Sequence, residues 1–285
     1  MKKFDSFDII NMIFMILVLI IVGSPLMYIL SVSLSSNAAI AAGKVSIFPR
    51  GINLASYKEV LSTAKIPLAY ANSILYTLLS VIISLFLVII TAFPLSRREL
   101  KGRSGILLMI VFTMFFNGGM IPFYLLIQNL GMMDTIWALV IPWAIPAYEL
   151  MLLKSYFENI PGEVYEAAII DGANEYRILF QIFIPMSLPI LATLVMFFTR
   201  TQWNSYLVPL MYLSSPDKYP LQVVLQEMLM EGQAKSSLES VESASLNAEA
   251  LKNATIVLSI IPILIIYPFI QKYFVKGVYV GAVKG

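Results

Sequence analysis

Neither cysteine nor histidine occurs among the 285 residues. Without cysteine there can be no disulfide, thiolate metal site or thiol nucleophile, and the redox compartment leaves no trace. Without histidine the commonest general base and metal ligand are missing, so acid–base chemistry would fall to carboxylates. Charge is scarce too, at 13% of residues with a net of +2, and the basic residues are scattered, which argues against a nucleic-acid partner. No GxxxxGK[ST] phosphate loop occurs, so energy derived from ATP has to come through a partner.

What the chain has in abundance is apolar side chain, 59% of residues with a mean hydropathy of +0.83. That leaves too little polar surface to coat a soluble globule, and a bilayer is the fitting solvent. Crossing about 30 Å of hydrocarbon takes roughly 20 apolar residues. Six segments qualify: 9–31, 71–95, 105–127, 135–154, 186–208 and 254–271. The first follows "MKKFDSFD" and lacks a small-residue cleavage site, so it reads as a retained helix. The expectation is an all-α integral membrane fold with six transmembrane helices.

Basic residues set the orientation. They crowd into short segments on one side, notably "SRRELKGR" at 96–103, and thin out over two long loops on the other, about 32–70 and 209–253. The positive-inside rule then puts both termini in the cytoplasm of a multi-pass protein. Three regions follow: 1–70, the first helix and first extracellular loop; 71–271, a transmembrane core; and 272–285, a cytoplasmic tail. The polar, acidic stretch 231–254 is either a solvated linker or a surface for another protein. Spans containing "VIPWAIPAY" and "IIPILIIYP" read as kinked helices.

One short segment is out of character. "NIPGEVYEAAIIDGANEYRILFQIFIPMSLPI", residues 159–190, carries charge and glycine between apolar spans. Pro161 suits a first helical turn, Glu163 and Glu166 favour a helix N-terminus, and Gly172 can end that helix in a left-handed conformation. Asn174 can cap a second helix ending near Pro185. The result is a cytoplasmic helix-turn-helix elbow, with Ala167 and Ala168 as a smooth patch and Tyr165, Ile169, Tyr176 and Phe180 as anchors for a partner's groove. Its movement would be handed to the fifth span.

The spacing Glu166-Ala167-Ala168, three residues, Gly172, nine residues, Ile182, one residue, Ile184-Pro185 resembles the EAA motif of permease subunits of ATP-binding cassette importers. That family usually has leucine where Ile184 stands, and Asp171-Gly172-Ala173 is similar to its carbohydrate branch. "WNSYLVPLMYL" at 203–213 resembles the WNxxxxPL signature of sugar-importing permeases. "FNGGMIPFYLLIQNLGMMDTIWALVIP" at 116–142 resembles a branch for oligosaccharides and complex glycans, and the ending "QKYFVKGVYVGAVKG" also fits. The resemblance covers residues 70 to 285. It implies a type I importer permease whose elbow, 159–185, couples to a separate ATPase through Glu166, Ala167, Ala168, Asp171, Gly172, Ala173, Ile182, Ile184 and Pro185.

Polar groups within the spans mark a candidate pathway. At 1.5 Å per helical residue, Asn117 would lie about 18 Å in along the third span, and Arg200, Gln202 and Asn204 about 21 to 27 Å in along the fifth. With Gly118 and Gly119 loosening the third span, and with Trp203 and Tyr206 as flat faces for sugar rings, this band suits a polyol. Asn117 could equally be an interhelical hydrogen-bonding group, and Trp203 and Tyr206 interfacial belt residues. Arg200 needs water or a partner; Glu149 is too far in depth to pair with it and could line a vestibule or meet a second subunit.

The resemblance also implies the assembly: a second homologous permease, a heterodimer, two ATPase subunits, an extracellular solute-binding protein, a carbohydrate substrate and membrane lipid in the bacterial plasma (inner) membrane. The chain itself would be a transport subunit with no catalytic residue, metal or cofactor, ATP and magnesium belonging to the partner ATPase. The alternatives are the same machinery with amino-acid, peptide or anion cargo, and an ion-coupled secondary transporter, which would have no use for the elbow.

Overall fold

The structure, a computed structural model, describes residues 6–62, 65–238, 249–265 and 267–268. The tail 272–285 with Lys272, Lys276 and Lys284, and the middle of the polar loop, lie outside the described residues. Every described regular element is helical. Contacts divide the chain into two compact units, residues 1–68 with 224–262, and 69–223 with 263–285.

In the first unit, helix α1 (Ser6–Ser33) is 28 residues long, about 42 Å. As far as Tyr28 its apolar side chains are exposed on all sides, as befits a helix surrounded by lipid or by other subunits, while Val32 near its end is buried. Short helices α2 (Asn37–Ala41) and α3 (Ala55–Ser62) follow. The chain returns to the end of α1 through hydrogen bonds from the Ser36 amide to the Arg50 carbonyl (3.1 Å) and from the Arg50 amide to Ser35 Oγ (3.0 Å). Ser33 and Tyr57 hydroxyls meet at 2.7 Å.

The second unit contains most of α4 (Lys65–Ser96), then α5 (Arg103–Phe115) and α6 (Met120–Asn129). After α7 (Trp137–Val140) and a 3-10 turn at Ile141–Trp143 comes α8 (Ala147–Glu158). Two short helices, α9 (Gly162–Ile170) and α10 (Glu175–Ile178), precede a π-turn at Leu179–Phe183 and α11 (Ile184–Met186). Then come α12 (Leu188–Trp203) and α13 (Leu207–Tyr212); α14 (Leu221–Leu238), from residue 224 on, and the helical residues 249–262 belong to the first unit.

Of the expected spans, α1 and α4 are unbroken helices long and apolar enough to cross a membrane; three more are bent pairs. The continuous helix expected over 105–127 is corrected: α5 and α6 meet at 116° across residues 116–119. Gly118 and Gly119 do more than loosen the helix. Gly119 takes a φ of +88°, which most side chains disfavour, while Asn117 Oδ1 accepts the Gly119 amide at 2.9 Å and so stabilises the break. The fourth span bends by 45° at its prolines, as read from the sequence. The fifth is corrected at both ends. It turns by 82° between Met186 and Leu188, and helix stops at Trp203 rather than 208. The sixth, 254–271, is helical over 254–265 and 267–268, and its remaining residues lie outside the described residues.

The core of this unit packs Val88, Ala92 and Phe93 of α4 against Leu150, Leu153 and Phe157 of α8, and both against Ile178, Leu179 and Phe183. Phe93, Phe157 and Phe183 form an edge-to-face triangle with centroids 5.2 to 6.3 Å apart. Such contacts add roughly 0.5–1.5 kcal/mol per pair beyond burial. They make the region after α9 part of the core.

Candidate coupling elbow and pathway residues

The elbow forms by short-range logic. Helix α9 starts at Gly162 with Pro161 as its N-cap, one residue outside the turn expected for it. At the other end the Gly172 amide donates to the Ile169 carbonyl and the Ala173 amide to the Ala168 carbonyl, both at 2.9 Å. This is the Schellman pattern, with Gly172 at φ +75° in its left-handed position. It explains the spacing of Ala168, Gly172 and Ala173: the two alanines frame the turn and pack together on the core. Asn174 then caps α10, its Oδ1 accepting the Arg177 amide at 2.9 Å. Pro185 has no N–H, and its ring would crowd the Gln181 carbonyl in an ordinary helix; the π-turn at Leu179–Phe183 widens the ladder there.

The faces differ from expectation in two places. Ala168 is 5% exposed and belongs to the core, so the smooth patch reduces to Ala167. Tyr165 is turned inward, its hydroxyl donating to Glu175 Oε1 at 2.5 Å and its ring 3.7 Å from the Arg97 guanidinium carbon. The surface it leaves open is strongly apolar: Ile170 is 85% and Tyr176 77% exposed, with Ile169 and Phe180 beside them. Glu166, Asp171, Gly172 and Pro185 are exposed, and Ala173, Ile182 and Ile184 half-buried.

The sequence marks Arg97, in "SRRELKGR", only as an orientation charge. It follows the last residue of α4, and its guanidinium carbon lies 3.7, 4.6 and 5.1 Å from the ring centroids of Tyr165, Phe183 and Phe93. Burial pulls its ionisation below the ordinary arginine value, while the Glu175 carboxylate, first, and then burial hold the Tyr165 hydroxyl above the usual phenol range. Nearby, Arg103 pairs with Glu158 and donates from Nε to the Leu95 carbonyl, while Lys154 Nζ meets Glu158 Oε2 at 2.7 Å. The ends of α4 and α8 and the start of α5 are thereby tied together.

A second knot, also missed, lies at the other end of this unit. Asp134 accepts the Ser214 and Ser215 amides (3.0 Å each), Ser215 Oγ and Lys218 Nζ (2.6 Å each). Lys218 and Ser215, then the two amides, hold its carboxyl well below the usual range. Asn72 Nδ2 and Tyr76 OH on α4 donate to the carbonyls of Asp217 (2.8 Å) and Lys218 (2.9 Å).

The pathway candidates are scattered between two structural contexts. Asn117, Gly118 and Gly119 form the exposed break between α5 and α6. Arg200 is exposed on the last turn of α12, and Asn204 follows it as the cap, its Nδ2 donating to the Arg200 carbonyl at 2.9 Å. Gln202 and Tyr206 are half-buried. Trp203 corrects the expectation of an open stacking face: it is 4% exposed, its ring 6.3 Å from that of Tyr70. Glu149 is half-buried in the first turn of α8.

Residues 61–279, which include the elbow and both knots, match the family of binding-protein-dependent transport system inner membrane components. The polygalacturonan/rhamnogalacturonan transport system permease protein YtcP of Bacillus subtilis (strain 168) is 37% identical over 281 residues, 98% of either chain. The chain belongs to this family. Among other relatives of this permease, protein LplC of the same organism is 36% identical over 280 residues, 98% of this chain and 95% of LplC. A solved structure of a bacterial ABC transporter involved in the import of the acidic polysaccharide alginate superposes with a TM-score of 0.87 at 35% identity, covering 96% of this permease and 100% of that chain. The type I importer permease fold expected from the EAA spacing is thus the fold of this chain, and its relatives are transport subunits of ABC importers.

Proposed function

We propose that this permease carries acidic oligosaccharides, fragments of uronate-rich polysaccharide, across the bacterial plasma membrane as one half of a heterodimeric pathway. An extracellular binding protein delivers the sugar. Two ATPase subunits, holding ATP and magnesium, seat the elbow in a cleft and move it. In this reading both termini are cytoplasmic, and the elbow with them.

The observation that carries the coupling half is the elbow's open face, where Ile169, Ile170, Tyr176 and Phe180 stand exposed on a turn rigidly capped and rooted in the core. A face so apolar in an aqueous setting calls for a protein partner. The acidic cargo rests on Arg200, the one charged residue of 186–208, exposed beside Asn204, together with relatives named for polygalacturonan and alginate. A cation costs about 2.5–3.5 kcal/mol at the centre of a span on insertion scales, so even near a span's end it calls for water, and a watered cation favours carboxylate-bearing sugars over the neutral polyols first expected. The test is uptake by the complete complex in proteoliposomes. Short galacturonate oligomers should enter with ATP and be outcompeted poorly by neutral oligosaccharides; uptake without the ATPase, or equal competition by neutral sugars, rejects the reading.

A further inference from the structure

The elbow is joined to the rest of the permease by more than the chain running into α12. We propose that Arg97 is a positioning residue that pins the elbow to the C-terminal end of α4, so that α4 moves with the elbow when the ATPases drive it. This rests on the importer reading above.

Three elements meet on one guanidinium: Phe93 from α4, Tyr165 from α9 and Phe183 from the π-turn, all within 5.1 Å of its carbon. Its Nε and Nη2 are buried and, among the described residues, have no hydrogen-bond partner. Two buried, unpaired N–H groups on a half-buried guanidinium are costly, and the ring faces, with the nearby Glu175 and Glu99 carboxylates, are the compensation this site supplies. If the site only needed filling, an apolar side chain of similar volume would serve at lower cost. What a cation between rings adds is simultaneous attraction to α4, α9 and the π-turn, which an apolar side chain of the same volume does not supply. The Tyr165 hydroxyl, bonded to Glu175, holds that ring across the elbow's turn, so α9 and α10 present it to Arg97 as one piece. The Phe93–Phe157–Phe183 triangle beneath carries the same joint toward α8.

A joint of this kind has a signature that packing alone lacks. The chain has no cysteine, so spin labels can be placed at Arg98→Cys, beside the pin, and Ile170→Cys, on the elbow, without removing native thiols from this subunit. In the complete transporter the distance between them should keep one narrow distribution in the nucleotide-free and magnesium–ATP–vanadate states. Arg97→Met should broaden that distribution and raise ATP consumed per galacturonate oligomer imported several-fold. Arg97→Lys, which keeps the charge, should recover most of the coupling. Should Arg97→Met fail to assemble, tyrosine variants carry the test: Tyr165→Phe keeps the ring on Arg97 but loses the Glu175 bond and should show a partial loss of coupling, while Tyr165→Leu should uncouple. Unchanged distances and ATP-to-sugar ratio in Arg97→Met, or equal effects of Tyr165→Phe and Tyr165→Leu, overturn the pin. A native complex that imports no sugar with ATP would instead overturn the importer reading, and the pin with it.

Discussion

Replacing Gly172 with valine tests the elbow where its geometry is most demanding. The residue sits at φ +75°, and a Cβ built there meets nothing within 4 Å, so the substitution introduces backbone strain and no clash. A left-handed conformation costs an ordinary L residue about 1–2 kcal/mol, and β-branching places valine at the upper end. The alternative is to abandon the turn and with it the Gly172 and Ala173 amide bonds, at about 1 kcal/mol each. Either route costs about 2 kcal/mol, which lowers the ratio of docking-competent to other elbow conformations about 30-fold. Folding of the spans should be untouched, since the residue is exposed and outside the core. In proteoliposomes Gly172→Val should therefore insert normally, bind ATPase weakly and lose most ATP-driven uptake. Gly172→Asn, which tolerates the left-handed region, should fall in between. Native uptake by the valine variant, or an asparagine variant just as impaired, would refute the reasoning.

Three further outcomes follow from other sites. Arg200→Gln should reduce uptake of galacturonate oligomers more than that of neutral oligosaccharides, read as the ratio of initial rates; an unchanged ratio removes Arg200 from cargo selection. Asn204→Leu removes the side-chain cap on the Arg200 carbonyl and an exposed polar group, and should lower uptake with assembly intact; unchanged affinity and rate take Asn204 out of the lining. Asp134→Asn should lower the thermal stability of the solubilised complex. Because the folded pKa is depressed, the Asp134 contribution is full above about pH 5 and fades as pH falls through the folded value, so native and variant melting temperatures should converge in acid. A gap that does not narrow between about pH 5 and about pH 2 contradicts that assignment.

The elbow was legible because its determinants are local. Pro161, Gly172, Asn174 and Pro185 each act within a turn of their own position, and the structure places the caps within a residue of where the sequence puts them. The broken third span was half legible. The glycine pair is a clear signal, but apolar residues on both sides make 105–127 look like one continuous helix, and only backbone geometry reveals the 116° turn. Arg97 and the Asp134 knot were not legible, because their partners lie far along the chain: Tyr165 and Phe183 for one, Ser215 and Lys218 for the other. Charge patterning assigns Arg97 to orientation, and nothing in the pattern says that three rings enclose it. Trp203 erred in the other direction. An aromatic near polar groups reads as a sugar platform, whereas the fold turns it onto Tyr70.

The most direct test of the account is whether a motor sits on the elbow. A photoactivatable crosslinker on Ile170→Cys, in the assembled transporter, should join this permease to an ATPase subunit in high yield, with the yield changing between nucleotide-free and magnesium–ATP–vanadate states. A complex that imports sugar while Ile170 crosslinks only to lipid or reacts freely with water-soluble thiol reagents would contradict it.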